Sequence, residues 1–224
     1  MKKLLLIIPL LVFIFLMKGC KKDDKLPDPV SDAEGNSYQT VRIGDQVWMA
    51  ENLRSTRLND GTDIPLAGSP GTWAELAAPA YCWYNNDEPS YKNIYGALYN
   101  GYTVSSGKIC PTGWHIPDKE EWINLGNSLG DSLKAGGSMK ESGTEHWLSP
   151  NKGADNSSGF TAMPAGLRYF EGTFAAITNS ACFWSSTENS DGDQWYAGLF
   201  YTDSSLTLNH RNKKHGFSIR CIKD

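Results

Sequence analysis

Positive charge is scarce in this 224-residue chain: 21 Lys and Arg stand against 25 Asp and Glu, a formal net charge of −4. Proteins that grip phosphate backbones cluster Lys and Arg, so the acidic balance argues against nucleic acid as a partner. Long hydrophobic runs are lacking as well. The main apolar stretch, residues 4–17, is 14 residues long, short of the ~20 that a membrane-crossing helix needs. No repeat of roughly 20–50 residues stands out, which argues against solenoids and propellers. Neither GxSxG nor HExxH occurs. His115, His146, His210 and His215 lack metal-site spacing such as HxxxH. Paired carboxylates act through space and leave no spacing signal, so glycoside hydrolysis is neither marked nor excluded. The reading is therefore of a non-catalytic chain.

Cysteine is few and odd in number, with five residues. The first, Cys20, has its own explanation. Lys2 and Lys3 precede the short apolar stretch, and Gly19-Cys20 follows it, the layout of a secretory signal peptide. Gly19-Cys20 resembles a bacterial lipobox, in which the Cys thiol receives diacylglycerol before cleavage. Residues 1–19 are thus expected to be a lipoprotein signal peptide, with Cys20 as the lipidation site. Removing 19 residues leaves 205, and losing Lys2, Lys3 and Lys18 takes the charge from −4 to −7. Several acyl chains would hold the protein stably on a membrane. Residues 20–31 are charged, carry Pro27 and Pro29, and read as a flexible tether. Lys21-Lys22-Asp23-Asp24 resembles the signal that sends some bacterial lipoproteins to the outer face of the outer membrane. The expected location is the outer membrane or cell surface, with the membrane as a partner through the lipid. Four cysteines then remain, Cys82, Cys110, Cys182 and Cys221. In an exported chain they suit two disulfides, with three possible pairings.

The rest of the chain, 40% hydrophobic and 12% aromatic overall, has the composition of a folded body. Residues 38–43 and 46–49, separated by Gly44-Asp45, predict an opening hairpin. Residues 72–77 predict a short helix. The strongest helix signal covers 119–129: Asp118 and Glu121 form a capping-box pattern, Trp122, Leu125 and Leu129 share a face, and Gly130 follows. Residues 194–202, 205–209 and 216–222 predict strands, with Asp203-Ser204 as a turn. In the last, Phe217, Ile219 and Cys221 share one side. Residues 85–108, 130–158 and 185–193 read as long polar loops. The predicted class is α+β, with small antiparallel sheets and one main amphipathic helix.

Residues 35–38, 43–44 and 47–54 (ending Trp48-Met49-Ala50-Glu51-Asn52-Leu53-Arg54) begin an ordered series of motifs. It continues through Tyr81-Cys82-Trp83-Tyr84, Tyr95-Gly96-Ala97-Leu98-Tyr99-Asn100 and Cys110-Pro111-Thr112-Gly113-Trp114-His115-Ile116-Pro117. Phe183-Trp184-Ser185-Ser186 and Ser218-Ile219-Arg220-Cys221 close it. Together they resemble the Fibrobacter succinogenes major paralogous domain over residues 32–224. That family occurs in exported and surface proteins. The segment from His115 to Trp122, and Gly216-Phe217, also resemble formylglycine-generating (sulfatase-modifying) domains. Their fold is C-type-lectin-like, which implies that the first and last strands meet in one sheet. In the core so implied, Cys110 and Cys221 stand at the start and end, so this pair is expected to bridge, leaving Cys82 with Cys182. An enzyme of that type would instead need a reactive pair such as Cys182 and Cys221.

Binding is the leading functional expectation. Glu188, Asn189, Asp191 and Asp193 place oxygens beside Trp195. Calcium favours several oxygen ligands, and sugars pack on aromatic faces. This segment is the candidate ligand-binding site, with calcium its only candidate cofactor. Trp73, Trp147 and Trp195 adjoin loops and are the surface candidates, whereas Trp48, Trp114, Trp122 and Trp184 suit the core. The reading is a lectin-like surface module for an extracellular glycan or protein. The alternative is a structural or adhesion-associated module with no small ligand.

Overall fold

The computed structural model describes residues 27–224; the leader, Cys20 and most of the tether lie outside the described residues. A first hairpin joins β1 (Val30–Ser31) to β2 (Ser37–Tyr38). Asp32 organises its turn, accepting hydrogen bonds from the N–H groups of Glu34 and Asn36 and from the Tyr38 hydroxyl at 2.7 Å. The expected opening hairpin follows as β3 (Thr40–Ile43) and β4 (Gln46–Met49), with Thr40 opposite Met49 and Ile43 opposite Gln46. Then come α1 (Pro70–Glu75), β5 (Tyr81–Cys82), α2 (Glu88–Tyr95), β6 (Leu98–Asn100), α3 (Gly101–Ser105) and β7 (Trp114–His115). Two further helices are α4 (Lys119–Ser128) and α5 (Ser132–Met139). The last third is β8 (Ala165–Arg168), β9 (Phe174–Ile177), β10 (Ser180–Glu188), β11 (Gln194–Phe200), β12 (Thr207–Arg211), β13 (Gly216–Phe217) and β14 (Ile222–Lys223).

The class is mixed α+β. The larger sheet runs β12-β11-β10-β8-β13-β6-β5, with β9 added to β8. The smaller runs β3-β4-β14-β7. Ile222 lies opposite both Trp48 and His115, so the opening hairpin and the closing strand share one sheet, as expected.

Helix α4 is built as its residues dictate. The Asp118 side chain accepts from the Glu121 N–H, and the Glu121 side chain accepts from the Asp118 N–H, both at 2.8 Å. Trp122 and Leu125 are fully buried. The Trp122 ring stacks on Phe183 at 5.8 Å and meets Trp48 at 4.7 Å. Truncating such a residue to Ala typically costs about 3–5 kcal/mol. His115 ties this corner together: Nε2 meets Glu121 at 2.9 Å and Nδ1 meets Asp224 at 2.6 Å.

Several expectations need correction. The stretches 85–108 and 130–158 are not structureless: they hold α2, β6, α3 and α5. Each of these helices has a side-chain cap, from Asp87, Asn100 or Asp131. Strand β10 extends to Glu188, so the 185–193 loop shrinks to a hairpin tip. The terminal segment 216–222 divides between two sheets. Even so, Phe217, Ile219 and Cys221 share one hydrophobic cluster, while Ile222 joins another. Trp73 and Trp147 are buried, not surface residues. Trp73 donates to the Lys214 carbonyl at 2.6 Å, and Trp147 to that of Ala162 at 3.0 Å.

Three buried cations hold the irregular segments. Lys140 Nζ donates to the carbonyls of Lys152, Phe200 and Asp203 at 2.8–3.0 Å. Arg168 donates to those of Ala67, Gly68 and Gly172. Arg220 donates to Asn52 Oδ1 and to the carbonyls of Phe160 and Thr161. All three are fully buried, and polar groups so placed need such partners.

Cys110 and Cys221 form the expected disulfide, with Cα atoms 5.9 Å apart. Cys82 and Cys182 do not pair; both are buried free thiols. Cys182 neighbours Ser218, Phe217 lies opposite Tyr99, and Leu98 opposite Cys82. That is three strand spacings, about 14 Å, twice the roughly 7 Å reach of a disulfide. Burial pushes both thiols up to about 12.

Candidate functional site

Asn189–Asp193 closes the β10–β11 hairpin, and its polar atoms are engaged locally. Asn189 Oδ1 accepts from the N–H groups of Asp191 and Asp193 at 3.0 and 2.9 Å. Asp193 meets His210 Nδ1 at 3.1 Å. Glu188 pairs with Lys213 at 2.5 Å and accepts from Ser105. Asp191 is exposed. Trp195 is half-buried, with Lys119 Nζ 4.1 Å from its ring centre and His210 against it at 5.4 Å. Thus Glu188, Asn189 and Asp193 serve the hairpin and its flanking contacts rather than converging as one ligand set.

Glu141, Glu145 and His146 are the group among the described residues whose ligand atoms could hold a metal, all lying within 4.8 Å of one another. Glu141 already grips His146 Nδ1 with both oxygens, at 2.9 and 3.0 Å. Two members of the group are thus already hydrogen-bonded to each other.

A more open feature lies where β8, β10, β11 and the segment leading into β13 meet. It is a groove of about 390 Å³ lined by Tyr169, Ser180, Tyr196, Tyr201, Arg211 and His215, among others. This volume lies within the range of small-molecule sites. The floor is Cys182, Tyr196 and Phe217, all buried. Their positions follow from strand alternation: Cys182 sits opposite Gly198, and Tyr196 opposite Asn209. The Tyr196 and Phe217 rings are 4.7 Å apart. Tyr169 is 39% exposed and Phe170 beside it 54%, so aromatic surface is available at the rim.

His215 stands between these rings, 6.0 Å from Tyr169 and 5.8 Å from both Phe170 and Phe217. Its Nδ1 lies 3.1 Å from the Asn212 carbonyl. A carbonyl only accepts, so Nδ1 carries the proton. Burial lowers the pKa of His215, which favours the neutral ring and leaves Nε2 as an acceptor. Two residues near the β9–β10 connection have unusual backbone angles: Ala176, which lines the groove, at φ +61° and Thr178 at φ +66°. For a β-branched residue such a φ is an outlier. Backbone hydrogen bonds from Thr178 N–H to Pro164, and from Leu148 N–H to the Thr178 carbonyl, fix it there.

The profile of the Fibrobacter succinogenes major domain matches residues 41–223. The chain belongs to that family. No curated protein and no solved structure matches it. The matched span of this Fibrobacter succinogenes major domain runs from β3 to β14 and so includes both sheets, the disulfide and the whole groove. In this domain the groove residues escaped sequence reasoning because they come from distant strand ends. The one local signal was aromatic pairing at those ends, Tyr169-Phe170 and Phe200-Tyr201.

Proposed function

We propose that this chain is an exported lipoprotein whose domain is a binding module for an extracellular saccharide. The observation that carries the reading is the aromatic groove between β8, β10 and β11. Sugars present C–H faces that pack on aromatic rings and hydroxyls that need hydrogen-bond partners. Tyr169 and Tyr201 supply rings, and Ser180 and His215 Nε2 supply polar partners. The fold we favour is C-type-lectin-like, supported by the pairing of the closing strand with the opening hairpin. Export and anchoring at the outer membrane or cell surface rest on the signal-peptide layout and on Cys20. The buried Cys182 and the bridged Cys221 do not offer a free thiol pair, which favours binding over a formylglycine-generating type of enzyme.

The test is a glycan array probed with the full-length chain in detergent, alongside Tyr169→Ala and Tyr201→Ala. Hits that weaken at least about tenfold in the variants support the groove. No hit at all moves the function to a surface module without a small ligand. Radiolabelled palmitate should enter the wild type and not Cys20→Ala; equal labelling refutes the anchor.

A further inference from the structure

The groove carries one charged side chain whose position calls for an explanation. Arg211 is the last residue of β12, opposite Gln194 of β11. It is exposed, lines the groove, and holds its guanidinium carbon 5.9 Å from the centre of the Tyr196 ring. Its positive charge is felt by Cys182, Tyr196 and His215, all within the groove. Its hydrogen bond goes to the carbonyl of neighbouring His210 at 3.1 Å. Among the described residues no carboxylate lies within 4.0 Å of it. Arg54 and Arg57, by contrast, are paired with Glu51 and Asp63. The acidic groups that act on this corner through His215 are Glu171 and Asp193. Both have partners of their own, Thr173 and His210. The groove therefore combines aromatic faces, a neutral imidazole acceptor and one cation with donors to spare.

A guanidinium matches a carboxylate with two parallel N–H···O bonds, a geometry that an ammonium does not reproduce. Resting on the saccharide reading above, we infer that the groove takes an acidic saccharide, a uronic-acid unit whose carboxylate meets Arg211. The sugar face packs on Tyr169 and Tyr201, while a ring hydroxyl donates to His215 Nε2. A neutral sugar would fill the same aromatic surface and leave the guanidinium to water.

The test is isothermal titration of the full-length chain in detergent. The probes are oligogalacturonates and oligoglucuronates, each with its carboxyl-reduced counterpart, which has the same rings without the charge. Wild type should bind the acidic form more tightly, and more weakly as salt is added. Arg211→Gln should lower affinity for the acidic form by about 10- to 100-fold, the range of one charge-assisted contact. Its affinity for the reduced form should stay within about threefold. Because Arg211 is exposed, the variant should keep the wild-type melting curve, and Arg211→Lys should restore only part of the loss. Equal binding of acidic and reduced forms, or an unchanged acidic affinity in Arg211→Gln, overturns the acidic preference and leaves the saccharide reading standing. Binding of neither form also overturns the acidic preference, and the glycan array then decides the saccharide reading by itself.

Discussion

The Cys110–Cys221 bridge makes the sharpest quantitative prediction. It spans a sequence separation of 111. In the chain-entropy treatment, closing a loop of that length removes about 16 cal/mol/K from the unfolded chain, about 4.8 kcal/mol at room temperature. Strand β14 is two residues long and is joined to its neighbours on both sides by backbone bonds. These include Met49 N–H to the Cys221 carbonyl at 3.0 Å and Asp224 N–H to that of Gly113 at 3.1 Å. The double variant Cys110→Ala/Cys221→Ala should therefore lose about 3–5 kcal/mol. Urea unfolding followed by tryptophan fluorescence is the assay. With a slope of about 2 kcal/mol/M, the midpoint should fall by roughly 2 M. A reducing agent added to the wild type should have a similar effect. A loss under about 1 kcal/mol would refute the reasoning, because it would mean that the unfolded chain is not restrained by this link.

Other consequences are open to simple measurements. Lys140 should make stability rise with alkali: burial lowers its ammonium from 10.5 to about 8, so between those values the unfolded chain binds the extra proton. The gap between wild type and Lys140→Met, starting near about 2 kcal/mol from orphaned carbonyls, should widen by up to about 1.4 kcal/mol per pH unit there; a flat gap refutes this. His115 should behave in the opposite sense. Burial alone would lower its pKa, but the hydrogen bonds to Asp224 and Glu121 outweigh it, and the value is raised above 6.5. Its contribution is complete below 6.5 and disappears as pH rises through the folded value, so His115→Gln should cost more at pH 5 than at pH 9, read from urea midpoints; equal costs refute the pairing. Cys82 and Cys182 should resist alkylation in the native protein and both label in urea without reductant, located by peptide mapping; prompt native labelling contradicts their burial.

Local signals were legible where one element could state its own case. Asp118 and Glu121 announced α4, and Gly44-Asp45 announced the β3–β4 turn. Helix α5 was hidden for a physical reason. Its sequence, Ser-Leu-Lys-Ala-Gly-Gly-Ser-Met, has two glycines, which disfavour an isolated helix. Those glycines allow close packing: a Cβ on Gly136 would stand 2.2 Å from the Ser205 carbonyl oxygen, and one on Gly137 2.4 Å from that of Gly153. Tertiary contact, invisible locally, overrode propensity. Lys140, Arg168 and Arg220 were equally opaque, since a cation reads as surface until the carbonyls around it are placed. The Asn189–Asp193 tip had the composition of a ligand loop, but those same side chains brace a hairpin. The groove depends on β8 lying parallel to β10 at Ala181 and Gly166, a pairing that no window of sequence contains.

The position of β14 also sets a timetable. It lies inside the smaller sheet, between β4 and β7, yet it is made after every other strand. Until residue 222 has left the ribosome, β4 and β7 have no common neighbour and Cys110 has no partner. The smaller sheet cannot be completed from the N-terminal portion alone. The disulfide is then a latch that can be set only after both of its cysteines, 111 positions apart, have been made.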